Sequence, residues 1–148
     1  MAKTSPTSAL PVNDMVCFAA YSTSMAFTRF YNPLLKPLGP TYPQYLVMNV
    51  LWAEDDVNVK TIGEALHLES NTLTPLLKKL EAAGHLTRTR DPADERQTRI
   101  RLTPTGRALQ QQAAHIPGCI VEQLGCSIQE LQDLIQQLTS VRQALEAQ

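Results

Sequence analysis

The chain of 148 residues carries three cysteines, Cys17, Cys119 and Cys126. An odd number argues against a secreted disulfide framework and for reduced thiols in a cytoplasm. A thiol reacts through its thiolate. An ordinary cysteine, with a pKa of ~8.5, is only a few per cent ionised at neutral pH. Reactive cysteines therefore need neighbours that favour the anion. Cys17 is expected near the first turn of a long helix, where unpaired backbone N–H groups favour negative charge. Tyr21 is its i+4 neighbour on that helix. Tyr31, at about 100° and ~1.5 Å per residue, shares the face of Cys17 within about 40° but stands about 21 Å along the axis. Tyr42 is a third phenol donor. Metal chemistry has little to stand on. The chain has no Cys-x-x-Cys and no His-x-x-x-His pair, and Pro117 separates His115 from Cys119. No metal and no cofactor are expected.

A second chemistry is written in the basic residues. The net charge of −1 hides an uneven distribution. Residues 78–107 hold Lys78, Lys79, Arg88, Arg90, Arg96, Arg99, Arg101 and Arg107 against Glu81, Asp91, Asp94 and Glu95, for a local +4, whereas residues 108–148 sum to −3. A compact basic segment between acidic flanks is an electrostatic footprint for phosphates that the whole-chain charge conceals.

The elements that must position these groups are mostly helices. Hydrophobic residues make up 43% of the chain, enough for a globular core. No apolar run approaches the ~18–20 residues that cross a bilayer, and the first ten residues lack the apolar stretch of a secretory signal. Residues 1–12 read as a frayed lead-in. Asn13 is a plausible N-cap for a helix to about Lys36, ended by Lys36-Pro-Leu-Gly-Pro40. Thr41 caps a second helix, with Pro43 in its first turn, running to about Ala53. Shorter helices are expected at about 59–66 and from Asn71 to Ala83, with Leu73, Leu76, Leu77 and Leu80 inward and Gly84 as the stop. Residues 85–90 and 97–102 alternate as a hairpin would, around a turn at 91–95. Thr103-Pro104 starts a helix that Pro117-Gly118 interrupts, and Ser127-x-x-Glu130 is a capping box for the last one.

Helix, short turn, helix and basic hairpin form a winged helix–turn–helix pattern. The second helix would enter the major groove of double-stranded DNA with Ser70, Asn71, Thr72, Thr74 and Pro75, and Lys78 one turn on. A further DNA-binding candidate is Arg88, on the hairpin. Arg96 at its tip could enter a narrow minor groove. The acids beside it look wrong for DNA, unless one of them, Asp94, braces an arginine.

At this point the sequence resembles a family. Asp94-Glu-Arg96 followed by Leu102-Thr-x-x-Gly106 is similar to the wing signature of MarR-type transcriptional regulators, and the resemblance covers about residues 13–147. It is sharper to the organic-hydroperoxide sensors of that family, the OhrR type. The matching segments are Cys17-Phe-Ala-Ala-Tyr21, Tyr31 before Pro33-Leu-Leu35, Thr41-Tyr-Pro-Gln-Tyr45, Leu73-Thr-Pro-Leu-Leu-Lys78 and Ile116-Pro-Gly118. The resemblance implies a mainly α, intertwined homodimer of winged-helix subunits with a small β-hairpin wing. Residues 1–40 would be a dimerisation helix bearing the sensing cysteine, 41–107 the DNA-binding region and 108–148 the C-terminal dimerisation helices.

The implied function is a cytoplasmic repressor on a pseudo-palindromic operator, induced by an organic hydroperoxide that oxidises Cys17. Tyr31 and Tyr42 would stabilise the anion. Because Tyr31 is too far along its own helix, any contact with Cys17 would come from the other subunit. A wall of Phe18, Phe27 and Phe30 could favour organic peroxides, although phenylalanines are usually core. Cys119, after the Pro117-Gly118 break, is the favoured resolving thiol, with Cys126 next; family members with a single cysteine use an external thiol. Two other readings stay open: a MarR-type regulator of a small non-oxidant ligand, in which Cys17 is incidental, and a thiol peroxidase. The peroxidase reading lacks a basic residue beside Cys17 on its own helix, where the nearest is Arg29.

Overall fold

A computed structural model describes residues 9–147. The lead-in expected over residues 1–12 lies, for residues 1–8, outside the described residues. The chain falls into two compact units, one ending at Ala113 and the other beginning at Ala114.

In the first unit a 3-10 turn, Val12–Asp14, precedes helix α1, Val16–Leu35. Asn13 is therefore not the cap it was expected to be. It lies inside the 3-10 turn, and the cap position falls to Met15, whose extended backbone (φ −94°, ψ 122°) starts the helix without a side-chain bond. Helix α2, Tyr42–Ala53, begins as its sequence dictates. Thr41 and Gln44 form a reciprocal capping box, in which the Thr41 N–H donates to Gln44 Oε1 at 3.0 Å, and Pro43 occupies the first turn. Strand β1, Val57–Asn58, runs directly into helix α3, Val59–Leu66, where Asn58 Oδ1 accepts from the Thr61 N–H at 2.8 Å. Helix α4 spans Ser70–Ala82. Gly84, at φ +84°, then turns the chain through a region that side chains disfavour.

Strands β2, Leu86–Arg90, and β3, Thr98–Leu102, pair antiparallel from Leu86↔Leu102 to Arg90↔Thr98. The expected hairpin is thus present, but it is part of a larger sheet. β1 pairs with the far edge of β3, giving the order β1-β3-β2. A two-residue strand offers no alternation to read, which is why residues 57–58 pass for a loop in the sequence. Helix α5, Pro104–Gln112, is capped by Thr103, which accepts from the Gly106 N–H.

The core joins α2, α3, α4, the sheet and α5 through Met48, Leu51, Ile62, Leu73, Leu77, Leu80, Leu86, Ile100 and Leu109. Each fully buried side chain of this size removes apolar surface worth about 1.5–3 kcal/mol from water. The recognition-type helix and the wing are therefore held by one shared set of contacts. Helix α1 differs: Leu35 is its one buried residue, and Val16 and Tyr21 are more than half exposed.

The second unit holds α6, Ile116–Leu124, and α7, Ile128–Glu146. Pro117 and Gly118 do not interrupt a helix. The preceding helix ends at Gln112, and Pro117 sits in the first turn of α6, where its missing N–H has no partner to lose. Gly125, at φ +63°, ends α6, and Ser127 with Glu130 forms the expected capping box of α7. Among the described residues no helix is long and apolar enough to cross a membrane.

Candidate functional site

Cys17 is the second residue of α1, exposed, with no acidic side chain in the first turn. Tyr21 lies one turn further and is 62% exposed. Because α1 is continuous from Val16 to Leu35, the rise of ~1.5 Å per residue keeps Tyr31 about 21 Å from Cys17 along the axis. One chain therefore does not bring the thiol to Tyr31.

It does bring the tyrosines together. The turn after Leu35 ends α1, and the Thr41 capping box starts α2, so Tyr31 and Tyr42 face each other across the connection. Their rings stack at 4.4 Å between centroids and 12° between planes. Phe30 meets Tyr31 edge-on at 6.1 Å, and Tyr45 lies 5.8 Å from Tyr31 on the other side. Burial, then the neighbouring phenols of Tyr42 and Tyr45, push the Tyr31 hydroxyl up to about 12. Burial followed by Tyr45 raises Tyr42 in the same direction. Both phenols hold their protons at neutral pH and are hydrogen-bond donors, suited to an anionic sulfur or oxygen.

Cys119 lies in the first turn of α6, half-buried, and its N–H donates to the His115 carbonyl at 3.3 Å. It is not at a backbone break, because the break expected at Pro117-Gly118 falls earlier in the chain. Cys126 is exposed in the turn before α7, and its Sγ–H donates to the Leu124 carbonyl at 3.4 Å.

Ser70, Asn71, Thr72, Pro75 and Lys78 are exposed along the N-terminal half of α4; helical spacing puts Asn71, Pro75 and Lys78 on the side away from Leu73, Leu77 and Leu80, and Ser70 is exposed as the first residue of the helix. Thr74 is half-buried and donates its hydroxyl to the Ser70 carbonyl at 2.7 Å, leaving the oxygen's lone pairs free to accept. Arg96 stands at the wing tip with its side chain 92% exposed, and Asp94 Oδ1 accepts from both its backbone N–H and its Nε. Arg88 is paired within its own chain. Its guanidinium is held by Glu81 of α4 at 3.1 Å, and Glu81 also accepts from the Arg88 N–H. Arg88 thus ties β2 to the exposed helix instead of presenting an unpaired cation. The same bonds hold the Glu81 carboxyl below its ordinary range.

The clamp at the wing's root is legible only in three dimensions. Asp55 and Asp56 lie between α2 and β1, where Asp56 takes a left-handed backbone (φ +59°) and accepts from Arg99 at 2.8 Å and Arg101 at 2.9 Å. Arg99 also pairs with Asp91, and Asp55 accepts from the Leu102 N–H and from Arg107. Hydrogen bonds from Arg101 and Arg99 hold the Asp56 carboxyl below the ordinary carboxylate range. The only sequence signal is the alternation of arginines at 99 and 101, which points both to one face of β3. Arg99, Arg101 and Arg107, three of the eight basic residues of the segment, therefore neutralise these acids and hold the root of the wing.

The comparisons with known proteins agree with this geometry. A family model described as transcriptional regulator SarA/Rot matches residues 29–113. The chain is 46% identical to the HTH-type transcriptional regulator TtmR of Methylorubrum extorquens, over 92% of this chain and 70% of the relative. It is 42% identical to the organic hydroperoxide resistance transcriptional regulator of Bacillus subtilis, over 93% of this chain and 91% of that protein. Among solved structures, reduced AbfR of Staphylococcus epidermidis bound to DNA superposes with a TM-score of 0.78 at 37% identity, covering 90% of this chain and 94% of that one. The chain belongs to the winged-helix transcriptional regulators of the MarR and SarA/Rot type, in the branch that includes the organic-hydroperoxide regulators.

Proposed function

We propose that this regulator is a homodimeric repressor that binds operator DNA when Cys17 is reduced and releases it when an organic hydroperoxide oxidises Cys17. The observation that carries the reading is the stacked pair Tyr31 and Tyr42, two protonated phenols packed together at the α1–α2 junction. A core pair would need no hydroxyls. Their distance from the Cys17 of the same chain makes a second copy the natural source of the thiol they serve. The exposed apolar residues of α1 and α7 supply surface for that second copy to cover.

The thiolate of Cys17 attacks the outer peroxide oxygen. The S–O bond forms as the O–O bond breaks, and the alkoxide leaves as an alcohol after taking a proton from water. Cys17 becomes a sulfenic acid, oxidised by two electrons while the peroxide is reduced. Condensation with a second thiol, from Cys119, Cys126 or a small molecule, forms a disulfide and releases water. Ser70, Asn71, Thr72, Thr74, Pro75 and Lys78 read the major groove, and Arg96, held by Asp94, reaches the minor groove beside it. Arg88 is left to position the wing. The relative from Bacillus subtilis is named for organic hydroperoxide resistance, and AbfR is seen reduced on DNA; both support this reading.

The test is a titration of the reduced protein against a duplex selected from random sequence, repeated after cumene hydroperoxide with the thiol state read by mass spectrometry. Release that tracks oxidation of Cys17 supports the proposal. Release with Cys17 still reduced, or oxidation without release, overturns it.

A further inference from the structure

A continuous line of contacts runs from the tyrosine pair to the root of the wing. Tyr45, 6% exposed, lies beneath Tyr31. Seven residues on, and so on nearly the same face of α2, Trp52 meets Tyr45 edge-on at 6.1 Å and 68°. The Trp52 indole N–H then donates to the Gly106 carbonyl at 2.9 Å, a bond between residues 54 apart in sequence.

Gly106 is where both wing strands are anchored. Its N–H is accepted by Thr103, the residue after β3, at 3.1 Å. Its Cα faces the carbonyl of His85, the residue before β2, so closely that a Cβ there would lie 2.0 Å from the oxygen. The Thr103 N–H donates to that same His85 carbonyl at 3.1 Å. The ends of β2 and β3 therefore converge on a glycine that the tryptophan holds.

We propose that Trp52 is a positioning residue for DNA release: it transmits a displacement of the Tyr31–Tyr42 pair through Tyr45 to Gly106 and so to the wing. Packed aromatic rings do not compress, so a shift of Tyr31 is passed on to Tyr45. A tryptophan that only filled space would not need a donor placed on one backbone carbonyl. A chain of contacts by itself shows adjacency, and coupling has to be measured as a change in one site's response to the other. The inference rests on the peroxide-release reading above, and the experiment separates the two.

Trp52 is the single tryptophan of the chain, so its fluorescence reports this junction alone. In the full-length protein without DNA, Trp52 emission is expected to change at the rate at which Cys17 is oxidised by cumene hydroperoxide. Trp52→Phe keeps an aromatic ring and removes the donor. The variant is expected to oxidise at the wild-type rate and, when reduced, to bind the selected duplex within about threefold of wild type. The ratio of oxidised to reduced Kd is expected to fall by about tenfold or more. A wild-type ratio in Trp52→Phe overturns the inference while leaving the peroxide reading intact. Emission that stays flat through full oxidation of the wild-type protein also overturns it, whether or not the variant folds. Failure of the wild-type protein to release DNA on oxidation sinks both.

Discussion

The winged-helix core and helix α7 use similar amounts of leucine and isoleucine to opposite ends. In the core, Leu73, Leu77, Leu80 and Ile100 are at most 1% exposed, because α2, α3, α4, the sheet and α5 close around them. Along α7, Leu134, Leu138, Val141 and Leu145 recur at spacings of four, three and four and are 47%, 51%, 44% and 70% exposed. That period of ~3.5 residues is the seam of a helix meant for another helix. The first region is completed by its own chain. The second is an unfinished surface, which is the physical ground for proposing a second copy. The same division applies to the chemistry: the residues proposed to read DNA are all positioned within one chain, whereas one chain does not bring Cys17 and Tyr31 together.

The sharpest way to break this comparison is a charge on the open seam. Leu138→Asp should convert a dimer into monomers at micromolar concentration, read by light scattering, while leaving the winged-helix unit folded by circular dichroism. A dimer that survives this change would mean that the seam is not the interface. Leu77→Ala should act the other way. It should cost about 2–5 kcal/mol in denaturant unfolding by opening a cavity in the core, with no specific effect on subunit association.

A smaller effect is expected at the wing. Arg96→Ala should weaken operator binding by about tenfold and make the salt dependence shallower by about one in log–log slope. An unchanged slope would place the Arg96 guanidinium away from phosphates and groove. Smaller still is the titration of Tyr31. Its proton is held more tightly in the folded protein than in the unfolded chain, so the associated stability is fully present below pH 10 and is lost as the pH rises towards about 12. Phenolate absorbance should show a late-titrating tyrosine that disappears in Tyr31→Phe. An early, ordinary titration of all tyrosines would contradict the buried stack.

Much of this was legible in the sequence because local chemistry decided it. Thr41 followed by Pro43, and Ser127 with Glu130, write their helix starts in a few residues each, and the alternation at 85–90 and 97–102 specifies the paired strands. What escaped were features set by tertiary partners. Asn13 had the right chemistry for a cap, but the 3-10 turn at Val12–Asp14 moved the helix start past it. Pro117 looked like a breaker because a proline inside a helix and one in its first turn differ only in where the helix begins. Strand β1 is two residues long and exists because β3 has a free edge. Arg88 carried a charge that suited DNA, but Glu81, on the next element, claims it. The tyrosine pair was legible as residue types, and its stacking was not, because that depends on how α1 and α2 meet.

In the proposed mechanism one thiol decides whether the wing and helix α4 stay on DNA. That mechanism is tested most directly by Cys17→Ser, titrated against the selected duplex with and without cumene hydroperoxide. The serine keeps the size and helix position of the cysteine and removes the nucleophile. The variant is expected to bind with wild-type affinity before and after peroxide, while the wild-type protein lets go. A Cys17→Ser protein that still releases DNA on peroxide addition would contradict it.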